Sequence, residues 1–133
     1  MKWTRRWALG VAATVLVVAG TAAPAHASTN IGWMYTQGAN GKAYFDADVA
    51  GWTGAEQITV CDIDTDGHSV RAYLYNENTG RLIEWIGDSQ NDGSCVSVAY
   101  NMVTDEVLVE LAVCDYEAST GKVWDCASAR GWS

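Results

Sequence analysis

Proline, histidine and positive charge are scarce in this chain, and each shortage has consequences. The 133 residues contain one proline, Pro24, and two histidines, His26 and His68. A proline within a strand usually restricts that strand to the edge of a sheet. Because no proline occurs beyond residue 24, no later strand is restricted in this way. No Gly-x-Ser-x-Gly or Cys-x-x-Cys segment occurs, which argues against a serine-hydrolase elbow and against zinc or thiol redox chemistry.

The first part of the chain has the pattern of an export signal. Three cations lie within the first six residues, an apolar run covers 7–19, and the small-residue site Ala25-His26-Ala27 follows. This order is typical of a cleaved secretory signal, and the run is shorter than the roughly 20 residues that cross a bilayer. We therefore predict that 1–27 is a cleaved signal and that 28–133 is one secreted, extracellular domain, with no membrane insertion after cleavage. The arginine pair leaves twin-arginine export open beside general secretion.

The expected mature domain is strongly acidic. Residues 28–133 hold all sixteen carboxylates but only five cations, so their net charge is near −11. A surface of that sign repels nucleic-acid backbones and anionic lipids. Neither is an expected partner.

Strand patterns fill the domain. Runs rich in Val, Ile, Tyr and Trp alternate with glycine turns, and no stretch of ten residues has helical periodicity. Apolar residues at alternate positions, such as Val70, Ala72 and Leu74, give a strand one apolar face. Two stacked sheets can bury such faces against each other. We predict an all-β fold, a small antiparallel β-sandwich of about eight strands, at 31–36, 42–48, 56–63, 69–76, 81–87, 95–101, 106–116 and 122–128.

The four cysteines are Cys61, Cys95, Cys114 and Cys126. An even number in a short exported domain indicates two disulfides. Cys114 and Cys126 flank a hairpin centred near Thr120, which favours a bond between them and leaves Cys61 to pair with Cys95. The sequence alone leaves the three possible connectivities open.

One segment resembles the start of a calcium loop. Asp62, Asp64 and Asp66 alternate before Gly67, as the first carboxylates of such a loop do. The twelfth position is Tyr73 rather than a bidentate Glu, and the flanks are strand-like. The segment is therefore either a calcium site or an Asp-Gly hairpin turn whose aspartates stay solvated and ionised. No other cofactor is expected.

Catalytic groups are few. His26 is expected to leave with the signal, so His68 is the domain's one histidine, and we expect it at the surface of a turn. A nucleophilic triad needs an oriented histidine beside a nucleophile, and the cysteines are expected to be oxidised. We therefore predict that the protein is not an enzyme.

Aromatic residues are the remaining functional signal. Trp33 and Tyr35 share one face of their strand, and Tyr73 and Tyr75 share the strand face opposite the apolar Val70-Ala72-Leu74 row. Exposed rings of this kind bind proteins or sugars. These four residues are the candidate binding aromatics.

Several segments carry a resemblance: Val60-Cys61-Asp62, Asp66-Gly67-His68-Ser69-Val70, Asp92-Gly93-Ser94-Cys95, Val113-Cys114-Asp115 and Trp124-Asp125-Cys126. Together they resemble small secreted two-disulfide β-proteins of actinomycete type, a largely uncharacterised group. The resemblance implies secretion, sequential disulfides and a β-fold. The chain is more loosely similar in type to tendamistat-like α-amylase inhibitors, although it lacks their Trp-Arg-Tyr triplet.

Three functions follow from these features. The leading hypothesis is a non-enzymatic module that binds an extracellular protein or polysaccharide through surface aromatics. The alternatives are a structural or calcium-stabilised cell-surface protein and a small inhibitor of a hydrolase.

Overall fold

The computed structural model describes residues 25–133, so the predicted signal lies outside the described residues except for its last three. All regular structure in this part is β-strand. No helix within it is long and apolar enough to cross a membrane. The strands are β1 (Ile31–Tyr35), β2 (Gly41–Asp46), β3 (Glu56–Asp62), β4 (Ser69–Asn76), β5 (Arg81–Asp88), β6 (Val96–Tyr100), β7 (Leu108–Glu117) and β8 (Lys122–Trp132).

The strands form two four-stranded antiparallel sheets, in the orders β1-β2-β3-β6 and β5-β4-β7-β8. This confirms the predicted all-β fold with eight strands. Two strand pairs, β3 with β6 and β4 with β7, join segments that are distant in sequence. These non-local pairs decide which surface residues become neighbours.

The core lies between the sheets and follows the alternation in the sequence. Buried and half-buried residues alternate along β2 and β4. The largest fully buried apolar side chains are Phe45, Ile58, Leu74 and Leu111. Because one face of each strand is committed to this core, the intervening side chains must point outward.

Strand β8 is longer than expected, since it continues to Trp132 rather than ending near residue 128. The backbone N–H of Thr29 donates to the Trp132 carbonyl at 2.8 Å, and the Trp132 N–H donates to Thr29 Oγ1 at 2.9 Å. Gly131 permits this approach, because a Cβ there would lie 2.5 Å from the Thr29 carbonyl oxygen. The bridge ties the N-terminal segment to the last strand.

The preferred disulfide pairing is confirmed, and all four cysteines are bonded. The Cys61–Cys95 bond joins β3 to the residue preceding β6, and the Cys114–Cys126 bond joins β7 to β8. Each bond therefore links neighbouring strands of one sheet, and neither links the two sheets. Two disulfides are consistent with an extracellular protein.

Candidate functional site: two aromatic faces and an acidic cleft

The outer surface of the β5-β4-β7-β8 sheet carries a cluster of rings. Tyr73 and Tyr75 point away from the core because Val70, Ala72 and Leu74 on the same strand point into it. Tyr73 pairs with Trp85 on β5, and Tyr75 pairs with Leu82. The side chain of Trp85 is 45% exposed. We call this surface the Trp85 face, formed by Arg71, Tyr73, Tyr75, Leu82, Trp85 and Tyr116.

Arg71, on β4, contacts rings of the two neighbouring strands, β5 and β7. Its guanidinium carbon lies 4.2 Å from the Trp85 ring centroid and 3.4 Å from the Tyr116 ring centroid. Gly87 leaves space for this stack, since a Cβ there would lie 3.3 Å from Arg71 Cγ. Cation–π contacts of this kind contribute about 0.5–2 kcal/mol. The stack therefore fixes the Trp85 ring before any ligand arrives.

The two tyrosines extend the same face along β4. The rings of Tyr73 and Tyr75 are stacked, with centroids 6.4 Å apart and planes 22° from parallel. Burial raises the pKa of Tyr75, and the neighbouring Tyr73 and Glu110 raise it further. Tyr75 is therefore a neutral hydroxyl at neutral pH. It can both donate and accept hydrogen bonds.

A polar cleft of about 360 Å³ lies at the end of the sandwich beside the Trp85 face. A second depression of about 220 Å³ contains Arg71, Trp85 and Tyr116. Ser69 and Ser89 line both, so the cleft and the Trp85 face are continuous. The remaining lining residues of the cleft are Asp62, Asp64, Thr65, Gly67, His68 and Asn91.

The expectation that all three aspartates of the Asp62–Asp66 turn are solvated is wrong for Asp62, which is buried. It is only 3% exposed, and its backbone N–H donates to Asp88 Oδ2 at 2.9 Å. Burial raises its pKa, an effect that the backbone N–H of Asp64 partly offsets and that the Asp88 carboxylate reinforces. The sequence pattern could not predict the burial of Asp62, because it does not reveal that other residues cover the end of β3, where Asp62 lies.

Asp64 and Asp66 are exposed and serve the turn itself. The N–H of Thr65 donates to Asp64 Oδ1 at 2.8 Å, and the N–H of His68 donates to Asp66 Oδ1 at 2.9 Å. Among residues 25–133 no group of three His, Cys, Asp or Glu side chains is arranged to hold a metal ion. The geometry therefore adds no support to the predicted calcium site at Asp62, Asp64 and Asp66, which stays a prediction.

His68 is half-buried rather than fully at the surface, which corrects a second expectation. Its ring meets Trp124 edge-on, with centroids 4.9 Å apart, and its Nδ1 is buried without a hydrogen-bond partner in the described structure. Trp124 lies opposite Asp115 across β7 and β8. The histidine thus packs against the sandwich end.

The outer surface of the other sheet carries the second pair of predicted aromatics. Trp33 and Tyr35 are 46% and 50% exposed. Tyr44 on β2 meets the Trp33 ring edge-on at 4.6 Å between centroids, and Lys42 Nζ lies 4.5 Å from the Trp33 centroid. We call this surface the Trp33 face, formed by Trp33, Tyr35, Lys42 and Tyr44.

The four predicted aromatics therefore belong to two separate surfaces, and the structure adds neighbours that the sequence analysis did not select. Arg71 shares strand β4 with Tyr73, whereas Trp85 and Tyr116 reach this surface only through the pairing of β4 with β5 and β7. The β4–β5 hairpin could indicate from the sequence that Trp85 lies near Tyr73. A register shift after Leu74, which the sequence does not show, places Trp85 directly opposite Tyr73.

Comparison with family models, curated proteins and solved structures finds no match to this chain.

Proposed function

We propose that the mature domain is a secreted, non-enzymatic module that binds a neutral polysaccharide through the Trp85 face. The observation that carries this proposal is the preformed row of outward rings on β4 and β5, in which Arg71 orients Trp85. An extended polymer can lie along such a row, because the Tyr73 and Tyr75 rings follow one another along β4 and Trp85 lies opposite Tyr73 on β5.

The chemistry of the face suits a sugar chain. The C–H groups of a sugar ring carry partial positive charge and pack on the negatively polarised face of an aromatic ring. The adjoining cleft supplies hydroxyl, amide and carboxylate groups from Ser69, Ser89, Asn91 and Asp64. Such groups can hydrogen-bond sugar hydroxyls. The net charge near −11 of 28–133 disfavours anionic polymers.

A pull-down on insoluble polysaccharides tests the proposal. Mature protein is incubated with cellulose, chitin or xylan particles and with a bed carrying culture-medium proteins. Trp85→Ala should weaken binding to the preferred polysaccharide about tenfold or more, because truncating a central aromatic anchor costs about 1.4 kcal/mol or more. Tyr73→Ala should weaken it to a smaller degree.

Trp52→Ala is the matched control. Trp52 is also an exposed tryptophan, but it lies in the β2–β3 loop at the opposite end of the sandwich from the cleft. The Trp52→Ala variant should bind the polysaccharide as tightly as the wild type does. Equal retention of the Trp85→Ala variant, or retention only by culture proteins, would show that the proposal is wrong.

The two other functions predict different results in companion assays. A calcium-stabilised surface protein should gain thermal stability in calcium chloride, and Asp64→Asn should remove that gain. A hydrolase inhibitor should slow a purified secreted amylase. In the structure the Trp85 face is part of a sheet rather than a protruding loop, which favours the polysaccharide proposal over inhibition.

A further inference from the structure

The two ring clusters are built on the same plan. On the Trp85 face, Arg71 lies over the exposed Trp85 ring and also over the Tyr116 ring. On the Trp33 face, Lys42 lies over the tryptophan and Tyr44 meets its edge. In both cases the tryptophan is oriented by a cation from a neighbouring strand. Both rings are therefore preorganised on a sheet surface.

The outward position of Trp33 and Tyr35 follows from strand β1. Met34 pairs with Ala43 and packs against the core, which turns its two neighbours in sequence outward. A register shift between Ile31 and Met34 allows Ile31 to remain buried as well. The exposure of Trp33 and Tyr35 is thus set by the packing of the core.

A row of hydrogen-bonded polar side chains continues the Trp33 face across three strands. Gln57 Nε2 donates to the Tyr44 hydroxyl at 2.9 Å and to Thr59 Oγ1 at 3.0 Å. Thr59 Oγ1 and Ser97 Oγ are 2.7 Å apart. The row begins at Tyr44, which already contacts Trp33. Rings and ordered hydroxyl and amide groups therefore adjoin, as they do where the Trp85 face meets its cleft.

From these observations we infer that the Trp33 face is a second binding site for the same class of neutral polysaccharide, and that the protein bridges two polymer chains. This inference rests on the proposed function. The two faces are the outer surfaces of sheets that pack against each other through a common core. They point in opposite directions, so one extended chain cannot lie along both. A molecule with both sites filled holds two chains.

Calorimetric titration of the mature protein with cellohexaose and with chitohexaose tests the inference. Wild type should bind two molecules of the preferred oligosaccharide per protein. Trp33→Ala/Tyr35→Ala and Trp85→Ala should each bind one, and Trp52→Ala should bind two. Ser97→Ala, which removes the end of the polar row and no ring, should weaken one of the two sites several-fold.

A capture assay measures bridging directly. Protein bound to polysaccharide particles should retain the fluorescently labelled oligosaccharide. Each single-face variant, applied at a higher concentration so that its weaker binding through the remaining face still loads the particles, should not retain it. A wild-type stoichiometry of one that is lost in Trp85→Ala and unchanged in Trp33→Ala/Tyr35→Ala would overturn the second site alone. No binding of either sugar, or a stoichiometry of one that is lost only in the Trp33→Ala/Tyr35→Ala variant, would overturn the proposed function too.

Discussion

Gly41 lies on the core side of β2, where the side chain of Val70 from the opposite sheet fills the space above it. A Cβ at Gly41 would stand 2.3 and 2.4 Å from the two Cγ atoms of Val70. Val70 is fully buried and cannot move aside freely. We expect Gly41→Ala to destabilise the protein by about 1–3 kcal/mol through overpacking, measured by urea unfolding of the oxidised 28–133 domain.

Gly32→Ala is the matched control for that substitution. Gly32 also lies in a strand, but nothing is within 4 Å of the position its Cβ would take. Its replacement should be neutral or slightly stabilising. The double variant Gly41→Ala/Val70→Ala should lose less stability than the two single losses combined, because the clash is with the Val70 methyl groups. Additive losses would place the strain elsewhere.

At the scale of the strand, the two disulfides contribute unequally. Cys114–Cys126 closes 12 residues between the consecutive strands β7 and β8, whereas Cys61–Cys95 closes 34 residues between β3 and the start of β6. In the chain-entropy model these loops correspond to about 3 and about 4 kcal/mol. We expect Cys61→Ala/Cys95→Ala to lower the free energy of unfolding more than Cys114→Ala/Cys126→Ala does.

Urea unfolding of the two paired variants, each retaining the other disulfide, measures this difference. Since each bond lies within one sheet and neither joins the two sheets, we also expect both variants to keep the native near-ultraviolet spectrum at low denaturant. A larger loss for the Cys114→Ala/Cys126→Ala variant would mean that native-state contacts at the β7–β8 register shift outweigh loop closure.

Strand positions could be predicted from the sequence because alternation is a local property. In β4 each apolar residue of the Val70, Ala72 and Leu74 row is buried, as the pattern indicated. Strand β5 shows where this reasoning ends. Counting back from the turn places Glu84 opposite Tyr73, but the register shift after Leu74 places Trp85 there. A one-residue shift moves a side chain to the other face of a sheet.

The candidate site could be predicted only in part for the same reason. Individual ring positions such as Tyr73 and Trp33 follow from alternation, but their neighbours depend on strand order. The approach of Arg71 to Tyr116 requires the non-local pairing of β4 with β7. The hydrogen bond from the Asp62 backbone N–H to the Asp88 carboxylate likewise joins two different strands. Neither contact leaves a signal in local sequence.

At the scale of the whole molecule, an already acidic domain buries four carboxyl groups among the described residues, those of Glu56, Asp62, Asp88 and Asp115. Burial raises the pKa values of Glu56, Asp62 and Asp115. Asp115 is 1% exposed; its Oδ2 accepts from Asn40 Nδ2 at 3.1 Å, and its Oδ1 has no partner within the described residues. Glu56, Asp62 and Asp115 therefore bind their protons more tightly in the folded state than in the unfolded chain.

This burial sets the sign of the pH dependence. A carboxyl group whose folded pKa is raised contributes stability that is fully present below its unfolded pKa, near 4, and lost as pH rises through the folded pKa. We therefore expect the midpoint of thermal unfolding to rise as pH falls from 7 towards 4. Asp115→Asn should stabilise the protein at pH 7 and reduce the slope of the unfolding midpoint against pH. Asp64→Asn, at an exposed position, should leave that slope nearly unchanged.

Repulsion among surface carboxylates predicts the same trend, but 0.5 M sodium chloride screens exposed charges far more than buried ones. A slope that persists in high salt and falls in Asp115→Asn would identify burial as the cause. A slope that disappears in salt would assign the trend to the surface charge instead.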